Sequence, residues 1–213
     1  MRTDDLRARF ERTLAGDASH VETMTAAAAI ISEVLRRRGM EATLVGGAAM
    51  EFHASDVYTT GDLDLIVEGR SRDDLDSALT EFGFTKRGRH WVFCDLFVEV
   101  PGNWMSDPVD IVAVGDLRLR VIRREIVLAD RIIGFKHWRA TAYGAQAFAL
   151  LALFGDSLDE KLLLHRLASE DAVDAFEALR LLARAGPAPI GEKTLDGLLQ
   201  RLTEHRNSTE AGS

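Results

Sequence analysis

Cysteine is nearly missing from this chain: Cys94 is the single one in 213 residues. One thiol cannot close an internal disulfide, and it cannot supply a cysteine-based zinc cluster. Read from sequence, it is a small buried hydrophobe. Long apolar runs are missing too. The longest, Thr25 to Ile31 and Ala145 to Phe154, stop well short of the roughly 20 residues that a membrane-spanning helix needs. Met1-Arg2-Thr3-Asp4-Asp5 leads into a charged amphipathic stretch without an apolar h-region. No signal peptide is therefore expected, and the expectation is a soluble cytoplasmic protein with no membrane partner. Cations are in deficit: 26 Lys and Arg face 34 Asp and Glu, a formal charge of −8. A chain of that sign does not hold nucleic acid by bulk charge, although a local basic patch stays compatible with it. What is present is ordinary for a globular protein. The 46% hydrophobic and 28% charged residues exclude whole-chain disorder and suit one sizeable core, or one domain with a helical extension.

The periodicity changes along the chain. The first forty residues read as helix: Ser19-His20-Val21-Glu22 fits a capping box, and Arg36-Arg37-Arg38-Gly39 suits a helix C-terminus. Short strands are expected at Thr43 to Val45 and Asp62 to Val67, with an amphipathic helix from Ser71 to Phe82. Strand-like segments follow at His90 to Val100, Val109 to Val114 and Leu117 to Ile122. From Arg124 the pattern is helical: Glu125 to Arg139, Gly144 to Phe154, Leu158 to Leu167, Ala172 to Ala185 and Glu192 to Glu204. Ser157-Leu158-Asp159-Glu160 matches a second capping box, and Gly186-Pro187-Ala188-Pro189 separates the last two helices. The expected fold class is α+β, a mixed sheet flanked by helices with a helical C-terminal part. The expected segments are N-terminal helices at 1–40, an α/β core at 41–125, helices at 126–206 and a disordered tail at 207–213.

The chemistry-bearing residues lie between Leu44 and Val67. Gly46-Gly47 stands between a strand and a short helix, Ala48 to His53. Glycines there let backbone approach a ligand closely, and the helix start offers N–H groups suited to phosphate. The bland alternative is a tight turn with no ligand. Asp62 and Asp64 stand at i and i+2 on a strand, so both point to one face about 6–7 Å apart, while Leu63 and Leu65 point to the other. Paired carboxylates repel unless a cation lies between them; Mg²⁺, or Mn²⁺ in its place, binds such pairs and fills the rest of its sphere with water and phosphate oxygens. The alternative is a solvated strand edge. Glu99, in Phe97-Val98-Glu99-Val100-Pro101, is the candidate third carboxylate, with no cation beside it in that run; Asp110 is its competitor. His53 reads as a surface or helix-capping residue.

The text Leu44-Val45-Gly46-Gly47-Ala48-Ala49 followed by Thr59-Thr60-Gly61-Asp62-Leu63-Asp64-Leu65 resembles the DNA polymerase β-like nucleotidyltransferase superfamily. Within it, the chain resembles the small prokaryotic group of predicted nucleotidyltransferases, some of them partners in toxin–antitoxin systems. The segment Phe97 to Pro101 after His90-Trp91 is similar to that group's third-carboxylate strand, and Glu125 to Arg139 to its following helix. Where many relatives carry an arginine before the aspartates, Tyr58 stands here.

The resemblance implies a metal-dependent nucleotidyltransferase. Asp62, Asp64 and Glu99 would be catalytic and would hold Mg²⁺ or Mn²⁺. Gly46, Gly47, Thr60 and Lys136 would bind the nucleotide, with Arg131 as an alternative cation for the triphosphate. Its partners would be an NTP, an acceptor hydroxyl on protein, RNA or a small molecule, and a cognate toxin or antitoxin. Two other readings stand beside it: a non-catalytic binding or antitoxin module on the same fold, and a nucleotide-sugar glycosyltransferase that uses Asp-x-Asp on a metal-bound diphosphate.

Overall fold

A strict alternation along Asp62–Glu68 seeds the sheet: Leu63, Leu65 and Val67 are buried, and the residues between them are half-buried on the opposite face. The computed structural model describes residues 3–55, 57–186 and 190–210, with the side chains of 205–210 left aside. The chain divides into two compact units, Met1–Arg123 and Arg124–Ser213. The first unit runs α1 (Thr3–Leu14), α2 (His20–Arg37), β1 (Glu41–Leu44), α3 (Gly46–His53), β2 (Asp62–Glu68), α4 (Arg72–Phe82), β3 (Thr85–Arg87), β4 (His90–Phe93), β5 (Leu96–Gly102), β6 (Val109–Val114) and β7 (Leu117–Ile122).

Among the described residues these strands form one seven-stranded sheet in the order β3-β4-β5-β2-β1-β7-β6. β1 pairs parallel with β7, and β2 parallel with β5. The β1–β2, β3–β4, β4–β5 and β6–β7 pairs are antiparallel, which makes the sheet mixed. The helix α2 packs on β1 and β7, with Ala27, Ala28 and Ala29 fully buried. Its start carries the expected capping box, Ser19 with Glu22. A second box, Ser71 with Asp74, starts α4, and Gly83 ends it in the left-handed region at φ 118°. Phe10, Phe82, Phe84 and Phe93 interlock with ring centroids 5.1–6.2 Å apart and join α1, α4 and β4.

Two local expectations change in this unit, and one strand is added. The segment His90 to Val100 is two strands, because Cys94 turns the chain at φ 51° and Phe93 pairs with Leu96 across a two-residue hairpin. Cys94 is accordingly exposed, not buried. A short strand, Thr85–Arg87, precedes them as a sheet edge; its fully exposed Thr-Lys-Arg text has no apolar alternation to announce it.

The second unit is helical: α5 (Arg124–Trp138), α6 (Thr141–Phe154), a 3₁₀ turn at Gly155–Ser157, α7 (Glu160–Ser169), α8 (Val173–Ala185) and α9 (Glu192–Glu210). Helix α6 lies against α5, α8 and α9. Gly134 makes room for the Tyr143 ring, whose nearest atom would be 2.2 Å from a Cβ there. The Ser157 capping box does not form. Ser157 belongs to the 3₁₀ turn, and Asp159 is the N-cap of α7, its carboxylate accepting from the Leu162 N–H at 3.1 Å. The expected break at 186–189 begins at Gly186, the C-cap of α8; its residues 187–189 and the tail residues 211–213 lie outside the described residues, while α9 continues through 207–210. Among the described residues, no helix is long and apolar enough to cross a membrane.

Candidate functional site

Sheet order decides which third carboxylate meets the Asp-x-Asp strand. β5 is the neighbour of β2, with Asp64 and Glu99 as register partners. β6 is the far edge strand, and there Asp110 pairs with Arg123 at 3.9 Å. The β4–β5 hairpin then sets His90 opposite Glu99. The result is a convergence of Asp62, His90 and Glu99, whose donor atoms all lie within 4.8 Å of one another, each residue half-buried. Nε2 of His90 is 3.3 Å from Oε2 of Glu99, and Nε of Arg89 is 3.3 Å from the same oxygen. Glu99 thus has two cationic or polar neighbours, His90 from the adjacent strand and Arg89 from the turn just before it. Two carboxylates and an imidazole within this span are a donor set that fits a divalent cation.

His90 escaped the sequence reading. Its signal was present as an i, i+9 relation to Glu99 across a hairpin, but the turn at Cys94-Asp95 has none of the usual glycine or asparagine chemistry.

Asp64 takes another place. Its Oδ2 accepts the Gly47 N–H at 3.0 Å. The N-cap of α3 is Val45, which offers no side-chain acceptor, so the Asp64 carboxylate serves the helix start from the neighbouring strand. Gly46 has to be glycine here: its φ is +60°, and a Cβ would stand 2.3 Å from Asp64 Oδ2. At Gly47 a Cβ would meet Thr60 Oγ1 at 2.9 Å and the Tyr58 hydroxyl at 3.3 Å, so these two side chains crowd that side of the turn.

Thr60 is buried and ties the turn to the acidic strand. Its hydroxyl donates toward Asp62, 3.1 Å from Oδ1. Its own N–H is accepted by Glu51 Oε2 at 2.9 Å, and its carbonyl meets His20 Nε2 at 2.9 Å. Glu51 is a buried carboxylate on α3, 3% exposed, with His20 Nε2 3.6 Å away. A burial this deep requires such partners. The pair Glu51 and His20 therefore holds the loop into β2 at both its N–H and its carbonyl.

The remaining expected residues have local partners of their own. Lys136 belongs to the second unit, where its ammonium reaches Asp174 Oδ1 at 2.8 Å and Asp171 Oδ2 at 3.3 Å. Arg131, in the same helix, lies over the Tyr143 ring at 4.7 Å. His53 ends α3, its Nε2 2.9 Å from the Ile122 carbonyl oxygen.

No protein-family model matches the chain, and no curated protein matches it. Among solved structures, the chain is similar to the crystal structure of an antigenic nucleotidyltransferase-like protein from Paracoccidioides brasiliensis. The match has a TM-score of 0.52 at 14% identity and covers 75% of this chain and 93% of that one. At that identity the likeness speaks for the fold. The mixed α+β architecture, with its seven-stranded sheet among the described residues, is thus a nucleotidyltransferase-like fold.

Proposed function

We propose that this chain is a nucleotidyltransferase that uses a divalent cation, Mg²⁺ or Mn²⁺, to move an NMP group from an NTP to an acceptor hydroxyl. The observation that carries the reading is the meeting of Asp62 and Glu99, from two neighbouring parallel strands, beside a glycine turn at a helix start. Asp62 and Glu99 supply the converging carboxylates, Thr60 orients Asp62, and Asp64 stands beside them on the Gly47 N–H. The cation, when bound, supplies a lowered hydroxyl pKa and balances charge on the departing pyrophosphate. Gly46 and Gly47 offer backbone to the β- and γ-phosphates, and the Gly47 N–H becomes available as Asp64 releases it. Lys136 is the proposed cation for the triphosphate, and its ammonium is engaged by Asp171 and Asp174. The negative net charge favours a small molecule, a protein or a nucleic-acid end over a long nucleic acid as acceptor. Incubation with α-³²P-NTP and cation should label an acceptor, and Asp62→Asn should reduce the label to background. Undiminished labelling by Asp62→Asn would remove this reading.

A second reading has its own support. Asp64 already occupies the Gly47 N–H, and Tyr58 stands against Gly47 where relatives in the resembled group carry their arginine nearby. Both features suit a fold that binds a partner, such as a cognate toxin or antitoxin, without turning over NTP. Calorimetry separates the two: heat on titrating NTP with Mg²⁺ supports the transferase, and its absence together with a co-purifying protein supports the module.

A further inference from the structure

Asp62, Asp64 and Glu99 make an all-oxygen set in the sequence, the set that suits Mg²⁺. The structure rearranges it. Asp64 spends one oxygen on the Gly47 N–H, and the third donor converging with Asp62 and Glu99 is the imidazole of His90. The imidazole is placed by three features. The β4–β5 register makes His90 and Glu99 direct cross-strand partners on one face. The Phe97 ring stands edge-on to the imidazole at 6.0 Å and 87°. His90 is one-quarter exposed, shielded but open to an ion from solvent.

The separations also suit shared coordination. Two donors each about 2.1 Å from one ion stand roughly 3.0 Å apart at a right angle and roughly 3.4 Å apart at a tetrahedral angle. His90 Nε2 and Glu99 Oε2 are 3.3 Å apart. Arg89 competes for the same Glu99 oxygen, but its side chain is 73% exposed and is free to swing into water when a cation arrives.

We propose that His90 is a protein ligand of the cation, and that this nitrogen makes the site select a first-row transition ion such as Mn²⁺ over Mg²⁺. The inference rests on the reading of Asp62 and Glu99 as a cation site and narrows it. Imidazole is a good ligand for transition ions and a poor one for Mg²⁺, which keeps oxygen ligands and water. With two carboxylates and one imidazole, the protein contributes most to the ions that bind nitrogen.

The test uses the full chain without nucleotide. Mn²⁺ and Mg²⁺ are titrated calorimetrically, and bound Mn²⁺ is examined by electron spin echo envelope modulation, which detects a directly bonded ¹⁴N. The expected result is Mn²⁺ binding about tenfold or more tighter than Mg²⁺, with ¹⁴N modulation. His90→Ala and His90→Gln should abolish the modulation and weaken Mn²⁺ about tenfold, while Mg²⁺ changes by less than about threefold. Mn²⁺ uptake that needs Asp62 but shows no ¹⁴N modulation in the wild-type chain would overturn the role of His90 and leave the carboxylate site standing. No Mn²⁺ uptake, or uptake indifferent to Asp62→Asn, would overturn the cation site together with it. The wild-type spectrum decides without any variant, so a His90 substitution that fails to fold does not spare the proposal.

Discussion

Glu51 is the residue whose removal reports most directly on the loop that enters β2. Its carboxylate is buried and accepts the Thr60 N–H, and Thr60 in turn donates to Asp62. Glu51→Ala leaves that N–H without its acceptor inside the protein, at a cost of about 1–3 kcal/mol. Glu51→Gln keeps a carbonyl oxygen in place and should cost less. Urea unfolding of the two variants gives the ordering, and Mn²⁺ titration of the folded proteins should show Glu51→Ala the weaker binder, because Asp62 loses its oriented neighbour. Equal midpoints for both variants would show that the carboxylate does not hold the loop. Nothing in the sequence distinguishes Glu51 from a surface glutamate on a short helix. Its burial is a consequence of α3 packing on β2, which no local pattern encodes.

At the scale of elements, the capping boxes carry a pH dependence of known sign. The Ser19 hydroxyl, then its backbone N–H, hold the Glu22 carboxyl below its ordinary value, and Ser71 does the same to Asp74. A carboxylate with a lowered folded-state pKa contributes stability that is complete above its unfolded value and is lost as pH falls through the folded one. The starts of α2 and α4 should therefore fray below the ordinary carboxylate range and stay capped above it. Amide hydrogen exchange at Thr23 and Leu75, followed from neutral to acid pH, should show protection falling at the acid end. In Ser19→Ala and Ser71→Ala, protection should be low across the range; protection unaffected by either change would remove the caps from the account. The β4–β5 hairpin is the contrasting element. Its apolar text, Trp91 to Cys94 and Leu96 to Val98, is broken by Asp95 alone, with no glycine or proline, so a single strand is the natural sequence reading. The reversal is imposed by the pairing of Phe93 with Leu96 and by the aromatic cluster that holds Phe93.

At the scale of the whole chain, the candidate residues Gly46, Gly47, Thr60, Asp62, Asp64, His90 and Glu99 all belong to the unit that ends at Arg123, while Lys136 belongs to the other. The first unit has its own core, with Leu63, Leu65, Trp91, Val98 and Leu119 all fully buried. Residues 1–123 expressed alone should therefore fold and keep the ¹⁴N-modulated Mn²⁺ signal. Loss of that signal in a folded fragment would assign a part of the site to residues beyond 123.

Local physics made much of this legible. The period-two pattern of Asp-Leu-Asp-Leu puts both aspartates on one face because successive side chains on a strand point to opposite sides. The Ser19 capping box, the Ser71 N-cap, β6 and β7 follow from equally local rules, although the similar text at Ser157 forms no box, and Gly46-Gly47 announces a turn by composition. Three outcomes depended on which strands become neighbours, a matter of long-range pairing that no short window contains. Glu99 stands beside the aspartates and Asp110 does not, because β5 is the neighbour of β2 while β6 is the edge strand beyond β1 and β7. His90 joins the carboxylates because a hairpin folds it onto Glu99. Asp64 turns to the Gly47 N–H because Val45 leaves the start of α3 without a side-chain cap and the adjoining strand carries the nearest acceptor.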